Sequence, residues 1–186
     1  MENNNCHMVL KNFKVSDFIS NVNDIPRIEY DKPFGVISTN PINFLKTKMY
    51  NKLLVLGNLT CLIFEMKPNV DKRSIHIDID YSTKKPYWPS LNIIIKGQGV
   101  MKWFNPATEG KIYYNKDGKV FYKAWFSDYG SIVDEWSTEK IAIVRTDVPH
   151  QVWNYDEEPR LMVSIRWSNR TSWEETKEFF SNLTID

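Results

Sequence analysis

A mainly β fold, a sandwich or barrel of antiparallel strands, is what this sequence predicts, and three observations point to it. From Leu59 onward, short runs rich in Ile, Val, Tyr, Phe and Trp are each ended by a turn signal. Pro and Gly are scattered as turn formers rather than gathered into a linker. Helix signals occur only near the two ends. The strand rhythm is consistent with a jelly roll. At 186 residues without repeats or low-complexity tracts, one domain with a sizeable core is expected. Residues 1–58 read as a helical and irregular flank, 59–167 as the β core and 168–186 as a terminal helix.

In the flank, Ser16 is placed to cap a short helix, and Asn40-Pro41 to open another over Ile42 to Lys48, because Asn caps well and Pro suits a first turn. Strands are then expected at 59–66, 73–80, 90–96, 100–104, 111–114, 119–126, 140–145, 151–154 and 160–167. Gly97-Gln98-Gly99 is one turn. Asn115-Lys116-Asp117-Gly118 is another, since Asp-Gly tolerates positive backbone angles. The loop Tyr81 to Trp88 and the polar, aromatic stretch Trp125 to Glu139 read as lids. Ser172-Trp173-Glu174-Glu175 matches a capping box opening a last helix to about Leu183.

Lys plus Arg number 24 against 23 for Asp plus Glu, a formal charge of +1, so no basic stripe attracts nucleic acid or an acidic membrane. The partner is expected in a pocket, as a small molecule or a protein side chain; composition leaves the oligomeric state open. Cys6 and Cys61 are too few for a disulfide scaffold and fit a reducing compartment, with Cys61 a buried thiol. No apolar stretch resembles a signal-peptide core or a membrane span, so a soluble, cytoplasmic protein is expected.

The chemistry is carried by two of the three histidines. In an alternating strand His76 and Asp78 of Ser74-Ile75-His76-Ile77-Asp78 share a face. His150, 72 residues beyond Asp78, then arrives from a distant strand to complete two imidazoles and one carboxylate, the facial triad of non-heme iron(II) oxygenases. Arg160 lies ten residues further on, and a guanidinium clamps a carboxylate bidentately. Ser164 and Arg166 share its face, Ser164 as a further donor and Arg166 as an alternative clamp or the partner of an internal acid. Asp80 is a rival ligand on the face of His76, and His7, in the polar N-terminal segment, is given no role. Taken alone, His76-Ile77-Asp78 also fits a core imidazole beside a turn-capping carboxylate; the distal half favours a metal.

These residues, His-Xaa-Asp, a distal His and an Arg ten positions later, resemble the Fe(II)/2-oxoglutarate-dependent dioxygenase superfamily and its double-stranded β-helix fold. Within it, His150-Gln151-Val152-Trp153-Asn154 followed by Pro159-Arg160-Leu161 is similar to the distal motif of the aspartyl/asparaginyl β-hydroxylase group. Members of that group often lack the carboxylate ligand that Asp78 supplies here, so the group's substrate is not carried over. The resemblance covers about residues 74 to 167. It implies iron(II) on His76, Asp78 and His150, with 2-oxoglutarate and O2 as co-substrates, decarboxylation to succinate and CO2, and hydroxylation of a substrate C–H bond. Arg160, Ser164 and Asn92 are the expected co-substrate contacts, with Arg166 as the substitute clamp. Lys84 and Lys85 in the first lid suit an acidic substrate, with Tyr81, Tyr87 or Trp88 over the entrance. Two other readings stay open: a cupin-type metalloprotein that does not use 2-oxoglutarate, against which the His-Xaa-Asp pair counts, and a non-catalytic barrel module.

Overall fold

The computed structural model describes residues 5–28, 34–71, 75–79, 85–86, 89–114, 120–126, 130–137 and 140–184. Its strands are β1 (His7–Val9), β2 (Phe34–Thr39), β3 (Leu59–Met66), β4 (Val70–Asp71), β5 (Ile75–Asp78), β6 (Ser90–Lys96), β7 (Val100–Asn105), β8 (Lys111–Tyr114), β9 (Val120–Trp125), β10 (Ser131–Ser137), β11 (Ile141–Val144), β12 (His150–Asn154) and β13 (Arg160–Trp167). Helices α1 (Val15–Phe18), α2 (Thr47–Leu53) and α3 (Trp173–Ser181) lie outside the β region. No helix among the described residues is long and apolar enough to cross a membrane.

The strands form two antiparallel sheets. The first has the order β1-β11-β6-β13-β3-β2 and the second β10-β7-β12-β5-β9-β8, with β4 paired beside β12. Along the chain, β3, β5, β6 and β7 enter the two sheets alternately, and so do β10, β11, β12 and β13. In each sheet the two quartets interleave: β11-β6-β13-β3 in one and β10-β7-β12-β5 in the other. That interleaving is the double-stranded β-helix, a jelly roll. The β8–β9 pair is an addition that widens the second sheet past β5.

Side-chain alternation sorts the two cores. The outward face of the first sheet buries Cys61, Ile63, Leu91, Ile93, Val163 and Ile165 against Phe18, Phe44, Leu53 and Phe180 of the flanking segments. The inward face meets the second sheet through Ile94, Met101, Trp103, Trp136, Ala142, Val144 and Met162. With both faces covered, all eight residues of β13 are buried. Burial explains why β3, β6 and β13 have the bounds their apolar runs predict.

Four local expectations are corrected. The flank contains two strands, β1 and β2, which exist by pairing with β11 and β3 far along the chain. The second lid is largely β10, paired with β7 and interrupted by a register shift between Ile132 and Asp134 that breaks its alternation. Asn40 does cap, accepting from the Ile42 N–H, but only one 3-10 turn (Pro41–Asn43) follows, and α2 starts at Thr47. Ser16 lies inside α1, whose N-cap is Lys14; Asp17 accepts from the Lys14 N–H at 2.6 Å. The Ser172 capping box forms with Glu175, and α3 ends at Ser181. The hairpin turn 115–118 falls outside the described residues.

His7 is more than a surface residue. Its Nδ1 lies 2.9 Å from Asp134 Oδ2 and its ring stacks on Trp103 at 5.7 Å, tying β1 to β10 across the sandwich.

Candidate metal centre

The site begins with register. His150 of β12 stands directly opposite His76 of β5, so both imidazoles project from the same face. Asp78 follows two residues on, opposite Tyr122 of β9, and the Asp78 N–H donates to Thr146 O at 3.3 Å, holding the end of β5 against the loop before β12. One donor atom from each of His76, Asp78 and His150 lies within 4.8 Å of the others, with no other His, Cys, Asp or Glu joining them among the described residues.

Hydrogen bonding prepares these donors. His150 Nδ1 lies 2.9 Å from Val148 O; a carbonyl only accepts, so Nδ1 carries a hydrogen, which leaves Nε2 as the nitrogen that can offer a lone pair to a metal. His76 Nε2 is 3.7 Å from Asp78 Oδ1, and the two imidazole centroids are 4.4 Å apart. The other Asp78 oxygen is engaged: Arg166 Nη2 donates to Oδ2 at 2.6 Å. Asp78 therefore turns one oxygen toward the imidazoles while Arg166 holds the second and offsets its charge.

Arg160 has a different environment. It is 2% exposed, its Nε has no hydrogen-bond partner, and its Nη2 reaches the Met162 sulfur at 3.3 Å. No acidic side chain is paired with it among the described residues. Burial lowers its pKa from 12.5 to about 10. Gly99 makes room for the stem, since a Cβ there would come within 2.6 Å of Arg160 Cδ and 2.7 Å of its Nε. An isolated buried guanidinium is costly unless something pairs with it.

A cavity of about 50 Å³ joins the two features, lined by His76, Asp78 and His150 together with Asn92, Ser164, Arg160 and Arg166. Asn92 and Ser164 face each other across β6 and β13, both buried, and Ser90 Oγ donates to Asn92 Oδ1 at 3.3 Å. The structure thus brings together all seven predicted site residues. Of the two arginines, Arg166 belongs to the carboxylate and Arg160 to the open cavity. Thr146, Phe34 and Phe64 also line it and were not predicted; proximity to His150 could have flagged Thr146, whereas nothing local marks the phenylalanines. Asp80, Tyr81, Lys84, Tyr87 and Trp88 lie outside the described residues, and Lys85 is exposed.

No family model matches the chain, and no curated protein does. Among solved structures, it is similar to peruvianin-I, a cysteine peptidase from Thevetia peruviana latex, at 12% identity and TM-score 0.43, covering 85% of this chain and 76% of that one. A mutant of Bacillus subtilis oxalate decarboxylase matches at 12% identity and TM-score 0.41, over 77% of this chain and 28% of that one. The coconut allergen cocosin matches at 13% and 0.40, again over 77% and 28%. The chain thus spans under a third of the latter two. Likeness at this level assigns neither ligand nor activity, and the jelly roll stands on the strand order itself.

Proposed function

We propose that the chain is an iron(II)- and 2-oxoglutarate-dependent dioxygenase that hydroxylates a small molecule or a protein side chain. The observation that carries this reading is Arg160, a fully buried guanidinium with no carboxylate partner among the described residues, lining the same cavity as a His-Asp-His donor set. Two neutral imidazoles and one carboxylate suit a divalent transition metal and leave coordination positions open. His76, Asp78 and His150 would hold iron(II), which when bound supplies the redox chemistry and the binding positions for O2 and the 2-oxo acid.

The chain's own residues do the rest. Because Arg166 offsets Asp78, Arg160 leaves the cavity with one net positive charge, to which a bound divalent metal would add two, so an anion such as a dicarboxylate is favoured. 2-Oxoglutarate is one, with a remote carboxylate for Arg160 to clamp bidentately. Ser164 and Asn92 offer neutral donors beside it. Met66, Met101, Val152 and Met162 give the remaining walls an apolar lining.

Purified protein with ferrous iron and ascorbate should consume 2-oxoglutarate, releasing succinate and CO2 in equal amounts, and should bind it with dependence on metal. Absence of both, with metal confirmed on His76 and His150, overturns the proposal and leaves a jelly-roll metalloprotein of other chemistry. Full activity in an Arg160→Ala variant would overturn it equally.

A further inference from the structure

The rim beside the metal ligands is built of rings. From the first sheet, Phe34 and Phe64 line the cavity with centroids 5.9 Å apart. Val36, opposite Phe64 in register and so on its face, is 46% exposed. From the second sheet, Tyr122 stands opposite Asp78 and meets the His76 ring edge-on at 6.2 Å. Tyr113 of β8 stands opposite Tyr122 and stacks on it at 5.1 Å with 15° between the planes. Phe126 closes edge-on against Tyr113 at 5.6 Å and is 49% exposed.

The placement of this shelf argues for a use. It is carried by the β8–β9 pair, which the jelly roll does not need for closure and which continues the sheet directly from the strand bearing His76 and Asp78. Register therefore sets the rings on the same face as the ligands. Electrostatics limits what they take. Asp78 and Arg166 satisfy one another, and Arg160 is fully buried. On this face of β8 and β9 the described charge is Lys111, exposed to water. Half-exposed ring faces gain most from another apolar, planar group. A carboxylate would find no buried cation here.

We propose that the shelf of Tyr113, Tyr122 and Phe126, with Phe34 and Phe64 across the cavity, binds the primary substrate through a neutral aromatic group next to the metal. The oxygenase reading supplies the reason a substrate should lie there; binding to the shelf needs only the fold.

The test uses the full chain loaded with zinc(II), with and without 2-oxoglutarate, titrated with indole or with N-acetylaspartate amide and followed by saturation-transfer NMR. Indole should bind saturably, and Tyr113→Ala and Phe126→Ala should each weaken it by about tenfold, the loss of one ring contact and its apolar area. Tyr113 stands on the edge strand and Phe126 just past the end of β9, and unchanged circular dichroism and zinc binding would show that the variants fold. With 2-oxoglutarate in place, the acidic probe should not saturate. Absent indole binding, indole binding indifferent to both substitutions, or preference for the acidic probe by the 2-oxoglutarate-loaded protein overturns the proposal. Any of these with zinc and 2-oxoglutarate still bound rejects the substrate class alone; intact indole binding without 2-oxoglutarate binding rejects the oxygenase reading alone.

Discussion

Arg160→Met should make the ligand-free protein more stable while removing its ability to bind a dianion. The guanidinium is fully buried with no acid paired to it among the described residues, and burial lowers its pKa from 12.5 to about 10. At about 1.36 kcal/mol for each tenfold change, the charged form carries a penalty of roughly 3 kcal/mol in the folded state at neutral pH. Methionine buries without that penalty. It fills less volume and loses the 3.3 Å contact with the Met162 sulfur, which costs about 1–2 kcal/mol. A net gain of about 1–2 kcal/mol raises Tm by about 2–8 °C for a chain of this size. Ligand reverses the order. In the parent, 2-oxoglutarate at a hundred times its Kd adds about 2.7 kcal/mol, and in the variant it should add nothing. Differential scanning calorimetry with zinc(II), with and without 2-oxoglutarate, reads both effects. A lower Tm for the ligand-free variant would mean that the guanidinium is a structural partner. A retained 2-oxoglutarate shift would mean that the anion sits elsewhere.

Three further outcomes are expected. Arg166→Met removes the cation 2.6 Å from Asp78 Oδ2 and should destabilise the metal-free protein by about 2–4 kcal/mol; zinc(II), drawn to the exposed charge, should recover more stability than it adds to the parent in urea melts. Cys6 and Cys61, both raised to about 12 chiefly by burial, should resist iodoacetamide at pH 8 in the native protein and react in urea. Because their folded pKa values lie above the unfolded ones, their contribution is fully present below pH 9 and is lost as pH rises toward 12, so the urea midpoint should fall between pH 9 and pH 11. Ser172→Ala removes the side chain accepting from the Glu175 N–H and should cost about 1 kcal/mol of stability, with zinc affinity unchanged.

How much was legible in the chain depends on how local each signal is. Residues 90–96 and 160–167 have the bounds their buried apolar runs predict, 59–66 alternates about a buried face, and the exposed 111–114 is set by the Asp-Gly turn signal that follows it in the sequence. β1, three residues long, and β2, whose Phe-Gly-Val-Ile-Ser-Thr lacks a clear alternation, are made strands by remote neighbours, and β10 carries a bulge at Ile132 to Asp134 that hides its period. Ser172 and Glu175 are three residues apart, so their capping box is a local fact. Asn40-Pro41 set a start, but what followed was decided by packing, which buried Phe44 and delayed α2 to Thr47.

By itself the sequence determined which residues meet at the candidate site: a period of two places His76 with Asp78 and sets Arg160, Met162, Ser164 and Arg166 on one face of β13. It could not separate the two arginines. Alternation specifies a face, whereas a partner depends on which strand lies across the sandwich and at what depth. Only the tertiary structure sets Arg166 against Asp78 and leaves Arg160 in the same cavity with no acidic partner among the described residues. It likewise raises the aromatic shelf beside the ligands, because β9 pairs with β5 through contacts more than forty residues apart in the chain.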